Sequence, residues 1–273
     1  MVHDTPDSDL SPQFPVPEAV PTPTDAPAPR TPWTLRNLLV LIVTSLIALL
    51  AANILVIAGY AALQPLMGWP RSSQTLHDNP FLLLALQSVV HALLLLTVYL
   101  FLVVNHHLPF WETLQWRTPA AGKALQFFLG GVLLAVAIQL MPAFLPDRED
   151  FPLTRLFTSP LAGYAIAAFA ILIAPFMEEL IFRGVLFSFF QHLVGSRCAV
   201  LGTAALFAAL HVPEYWGAWN HVLLILLVGL VFSGARGMTG SLAPSVILHV
   251  AYNTSLMAGL FFQTQHFRAL QSV

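Results

Sequence analysis

Residues 161–194 read LAGYAIAAFA ILIAPFMEEL IFRGVLFSFF QHLV. This run is longer than the roughly 20 apolar residues that cross a bilayer at about 1.5 Å rise per residue, and it contains no turn signal except Pro175. A helix in lipid satisfies its own backbone hydrogen bonds, which is why such a run reads as a membrane segment. Its interior nevertheless carries Glu178, Glu179 and Arg183. An ionisable group at that depth costs about 2.5–3.5 kcal/mol on insertion scales, so it implies a compensating partner or a function.

The rest of the chain supports a membrane setting. Of 273 residues, 57% are hydrophobic and 9% charged, against about 25% charged in an ordinary soluble domain. The formal net charge is −2, which offers no basic stripe for nucleic acid. The single cysteine, Cys198, has no internal disulfide partner and reads as a small buried apolar residue. Residues 1–33 hold nine of the 21 prolines and five acidic residues; with so little to bury, they read as a disordered tail preceding a transmembrane bundle over 34–273. The tail lacks the layout of a secretory signal.

Further spans are expected at 38–63, 81–104, 122–145, 199–212, 222–235 and 242–262. The expected fold is all-α, a polytopic transmembrane bundle of about seven helices (six to eight). The segments 199–212 and 222–235 are short for a full crossing. Pro70, Pro80, Pro109 and Pro119 mark turns between spans, and Trp69, Trp111, Trp116, Trp216 and Trp219 fall near predicted ends, where indoles favour the interface. With the tail cytoplasmic, Arg30, Arg36, Arg117, Lys123, Arg197 and Arg236 lie inside, against Arg71, Arg148, Arg155 and Arg268 outside, a slight positive-inside preference. The expected location is a bacterial plasma membrane, with the lipid bilayer as the constant partner. No internal repeat is evident, which disfavours transporters built from duplicated halves.

Successive helical residues point about 100° apart, so Glu178 and Glu179 cannot face one substrate together, whereas Glu179 and Arg183 share a face and form the expected ion pair. Glu178 then has no partner on its own helix and is free to project into a cavity as a proton acceptor. Pro175, one turn earlier, is expected to kink or break the helix. Two later segments carry matching groups. His211 ends an apolar run, with Ala204 and Ala208 forming a small-residue face for close packing. His249 and Asn253 are four apart, on one face of a hydrophobic run. His91 reads as a satisfied core histidine. His192, His221 and Glu214 read as interfacial, with Glu214 and His221 also placed to border a cavity.

The ordered set Glu-Glu-x-x-x-Arg, Phe-x-x-x-His and His-x-x-x-Asn on successive hydrophobic helices resembles the CPBP family. These are the CAAX-processing and bacteriocin-processing (Abi) intramembrane, metalloprotease-like endopeptidases. The resemblance covers about 160–260, including Phe182-Arg183-Gly184 and the run from Gly240 to His249. It implies a catalytic core there, in which Glu178 and His211 activate the attacking water. His249 and Asn253 would bind that water or stabilise the oxyanion, and Glu179 and Arg183 would support the site. The expected partner is a protein or peptide substrate cleaved near the membrane surface; prenylation is mainly eukaryotic, so a CAAX substrate does not follow from the family name.

Metal use stays open at this stage. Glu178, His211 and His249 can be drawn as a three-ligand zinc site leaving one position for water, or the same residues can polarise water without a metal. The His-Glu-x-x-His spacing typical of hydrolytic zinc sites is missing. Two other classes fit the same polar cluster: a non-catalytic bacteriocin-immunity or scaffold protein that only binds a peptide, and a proton-coupled transporter.

Overall fold

A computed structural model describes residues 31–69, 79–141 and 156–268. The tail expected over 1–33 falls outside these, apart from its last three residues, as do parts of two inter-span connections. Among the described residues there are eight helices and no strand. They are α1 (Leu35–Met67), α2 (Pro80–Asn105), the short α3 (Phe110–Thr113), α4 (Ala121–Leu140), α5 (Pro160–Val194), α6 (Ser196–His211), α7 (Trp219–Thr239) and α8 (Ala243–Gln263). Six of them, α1, α2, α4, α5, α7 and α8, are long and apolar enough to cross a membrane, and α6 is a shorter apolar helix. The chain is a multi-pass integral membrane protein.

Local sequence sets the helix starts. Thr34, Asn79 and Ser159 each cap a helix by accepting a backbone N–H with the side-chain oxygen, and Pro80 and Pro160 follow in the first turn, where a missing N–H costs nothing. Trp33, assigned to the tail by composition, is instead buried edge-on against Phe189 of α5, with ring centroids 6.0 Å apart. At the same end of the bundle Gly240 takes the left-handed conformation, φ 62°, and makes the tight return from α7 to α8.

The bundle is held by close backbone approaches. A Cβ on Gly131 of α4 would run into the carbonyl oxygen of Leu248 and come within 2.8 Å of Ala251 Cβ on α8. Gly229 of α7 likewise lies against the Ala204 backbone of α6. Small residues allow this contact, which supplies packing where lipid offers no hydrophobic drive between helices.

Three expectations change. The segment expected at 222–235 is the full 21-residue helix α7; Arg236, expected on the cytoplasmic side beyond its end, is wholly buried inside the bundle and belongs to the helix. Pro175 does not break α5. The helix absorbs it by widening into a π turn at Phe169–Ile173, just before the proline, and a second π turn follows the glutamates at Leu180–Leu186. Cys198 is exposed on α6, not buried, because it lies on the outer side of a first turn whose inner side is the buried Ala199.

Candidate active site

The centre of the bundle is polar. Arg183 and Glu179 are each fully buried, and Arg183 Nη1 donates to Glu179 Oε1 at 2.9 Å. The guanidinium spends its other donors on α7: Nε on Ser233 Oγ at 3.2 Å and Nη2 on the Gly229 carbonyl at 3.0 Å. Its flat faces meet aromatic rings, with the guanidinium carbon 4.7 Å from the Phe207 centroid and 5.5 Å from that of Phe232. Desolvated cation–π contacts of this kind contribute roughly 2 kcal/mol each. These hydrogen bonds offset much of the cost of taking the guanidinium out of water.

His249 of α8 joins this pair. Its Nδ1 lies 2.9 Å from Glu179 Oε1. A carboxylate only accepts, so Nδ1 carries the proton, and Nε2 is the ring atom turned towards Glu178, 3.8 Å from Oε2. Arg183, Glu179, His249 and Glu178 therefore form one chain of contacts across α5 and α8. Its outer end is the only accessible one: the Glu178 side chain is 31% exposed while Glu179 is at 0%. The 100° step between neighbours places one glutamate in the protein and turns the other towards open space. Glu179 Oε2 is buried without a partner among the described residues.

The remaining candidates surround this chain. On α6, His211 Nδ1 donates to the Phe207 carbonyl at 2.7 Å, leaving Nε2 as its available atom. Phe207 stands between the two histidines, its ring 4.8 Å from that of His211 and 6.2 Å from that of His249. Asn253 of α8 donates from Nδ2 to the Ala170 carbonyl at 2.7 Å. Ala170 lies in the first π turn, where Ala174 N–H reaches back to Phe169 and the next residue, Pro175, has no N–H; Asn253 replaces the missing backbone donor.

Glu214 sits in the turn between α6 and α7, three residues beyond His211. Part of its surface is open, yet burial by neighbouring protein raises its carboxyl above the usual range; His211 opposes that shift and Glu178 adds to it. Burial likewise pushes the Tyr215 phenol up to about 12, with Glu214 contributing. A cavity of about 260 Å³ opens beside this turn, lined by His221, Tyr215, Tyr252 and Gln139 among apolar side chains. His91 is buried on α2, stacked on Phe169 and in contact with Gln87 through Nε2, but it is not fully satisfied as expected: Nδ1 has no partner among the described residues.

Two groups that the sequence reading did not single out help to build the site. Ser233 and the Gly229 carbonyl anchor Arg183, and their only signal is a pair of small residues four apart on α7. Among the described residues, no three His, Cys, Asp or Glu side chains stand together as a metal-ligand group, so Glu178, His211 and His249 are not gathered as zinc ligands would be.

Residues 160–255 match the family model for type II CAAX prenyl endopeptidase Rce1-like proteins. This stretch belongs to the CPBP family. The CPBP segment runs from the start of α5 to Ser255 in α8 and so contains every member of the buried chain, together with His211 and Asn253. No curated protein and no solved structure matches the chain.

Proposed function

We propose that this protein is an intramembrane endopeptidase that hydrolyses a peptide bond of a protein or peptide substrate near the membrane surface. The observation that carries the reading is the half-open Glu178, whose carboxylate faces His249 Nε2 while His249 is held from behind by the buried Glu179–Arg183 pair.

The chemistry follows from those atoms. Water held by Glu178 and by His211 Nε2 gives up a proton to the Glu178 carboxylate as its oxygen attacks the scissile carbonyl. Positioned proton transfer of this type contributes about 10²–10⁴-fold. The second amide N–H of Asn253 and, once the ring is doubly protonated, His249 Nε2–H donate to the developing oxyanion, where preorganised donors are most effective. The proton on Glu178 then passes to the leaving amine. Because His249 Nδ1–H is fixed on Glu179, any positive charge arising on the ring during this step is balanced by a buried carboxylate.

This reading is protein-only. Chelation in the presence of 1,10-phenanthroline is expected to leave cleavage unchanged; loss that zinc restores would assign an ion to Glu178, His211 and His249 instead. The orientation that accompanies the proposal places the N-terminal tail in the cytoplasm of a bacterial cell.

The decisive experiment reconstitutes the purified protein in liposomes with a quenched-fluorescent peptide library and compares it with Glu178→Gln. Cleavage should fall by about 10²-fold or more while the variant keeps its thermal unfolding temperature. A variant that cleaves as fast as the parent ends the proposal. A non-catalytic immunity or scaffold role predicts instead that Glu178→Gln leaves peptide binding and protection intact.

A further inference from the structure

A π turn carries one more residue than an α turn, and where it reverts to α geometry one backbone carbonyl is passed over by its N–H donors. Buried in a membrane protein, that carbonyl must find another partner. The second π turn of α5, Leu180–Leu186, begins immediately after Glu179. Phe187 N–H reaches five residues back to the Phe182 carbonyl, and α geometry resumes over Phe187–Val194. The carbonyl passed over is that of Arg183. It is taken by Arg236 of α7, whose Nε donates to it at 3.0 Å.

Arg236 is an unusual residue to find there. It is wholly buried and has no carboxylate partner among the described residues. Its Nη2 reaches Gln115 Oε1 at 2.7 Å and Ser188 Oγ at 3.5 Å, its Nη1 has no partner, and its guanidinium carbon stands 5.0 Å from the Phe187 ring centroid. A buried cation without a counter-ion is costly, and an apolar residue of similar size would be the more stable choice. What the guanidinium does that an apolar side chain cannot is hold the freed carbonyl and tie it to Gln115, whose own backbone carbonyl accepts Leu242 N–H at the start of α8.

We infer that Arg236 is a positioning residue for the carboxylate pair: by capping the Arg183 carbonyl it pins the π turn open and so fixes the angle at which Glu178 and Glu179 leave α5. If the turn relaxed to α geometry, the residues before it would rotate by about one residue, roughly 100°, relative to everything beyond it. The four-residue spacing would keep Glu179 beside Arg183, but both glutamates would turn away from His249 on α8. The inference rests on the proteolytic reading for its effect on rate, but not for its effect on geometry.

The test compares Arg236→Met with Arg236→Gln. Both remove the charge and are similar in length, but only Gln can donate to the Arg183 carbonyl. In the liposome assay Arg236→Met is expected to lose about tenfold to a hundredfold in kcat at unchanged KM, and Arg236→Gln to stay within about threefold of the parent, since small misplacements near reacting groups have effects of this order. Equal losses in both variants, or no loss in Met, overturn the inference. Carbodiimide labelling of Glu178, read by mass spectrometry, gives a second readout that needs no peptidase activity. Its rate should change in Met and not in Gln; an unchanged rate in Met overturns the inference, whereas a changed rate in a protein that cleaves nothing overturns only the proteolytic reading. Should neither variant accumulate in the membrane, Gln115→Leu frees the outer end of the guanidinium alone. A labelling shift of about twofold is then expected from the looser geometry, and no shift overturns the inference.

Discussion

Helices α1 and α5 are both apolar and both longer than a bilayer needs, yet they place their polarity in opposite ways. In α1 only Leu41 and Ala52 are buried, while Leu46, Ile47 and Leu50 lie more than half exposed. In α5, Glu179 and Arg183 are completely enclosed, and Leu161 and Leu172 face outward. Hydropathy averaged along a helix marks both as membrane spans and does not show where the charges of α5 sit, since lipid-facing leucines dominate the average. The difference lies in what sits on the inner face: α1 presents apolar side chains to α2, whereas α5 presents a charge pair to donors and acceptors on α7 and α8.

The contrast can be broken most severely at the buried pair. Arg183→Met leaves Glu179 enclosed without its cation and is expected to lower stability by about 3–5 kcal/mol, seen as a lower unfolding temperature in detergent. The double variant Glu179→Gln/Arg183→Met should recover part of that loss, because no lone charge remains. A single variant as stable as the parent would mean that α5 buries its charges no more tightly than α1 buries its leucines.

Next comes Gly131→Ala, which pushes a methyl group into the Leu248 backbone and should cost about 1–3 kcal/mol by the same measurement, as overpacked cores do. A smaller effect is expected from pH. Burial holds the Glu214 carboxyl above its ordinary value of 4.5, so the folded protein keeps that proton more tightly than the unfolded chain does. The resulting stability is complete below the ordinary value and is lost as pH rises through the raised one. Glu214→Gln should therefore flatten the decline in unfolding temperature between acidic and neutral pH, and an unchanged pH profile would place the effect elsewhere. The smallest change is expected at Ile47→Ala on the outer face of α1, within about 0.5 kcal/mol; a drop comparable to that of Gly131→Ala would show that α1 is covered by a partner.

Much of this arrangement was legible in the chain itself. The length of the apolar runs gave the bundle, and the four-residue spacing gave the Glu179–Arg183 contact, because both depend on helix geometry that repeats along the sequence. The π turns were not legible. They change the residue count of one turn by one, which leaves no trace in a hydrophobic pattern, and Pro175 advertised a break where the helix instead widened. Arg236 was misplaced for a related reason: a lone arginine beside glycines reads as the end of a span unless its hydrogen-bond acceptors, all distant in sequence, are known. Trp33 and Cys198 were misassigned because composition reports what a segment can bury, not which side of a helix a particular residue occupies.

Helix α6 has 16 residues, about 24 Å of rise against a hydrocarbon core of about 30 Å. Being about 6 Å short, α6 is matched to a thinner bilayer than its neighbours, and the turn after its His211 end carries the Glu214 carboxylate. On the proteolytic reading proposed above, cleavage in liposomes of short-chain lipids should therefore be faster than in liposomes of long-chain lipids.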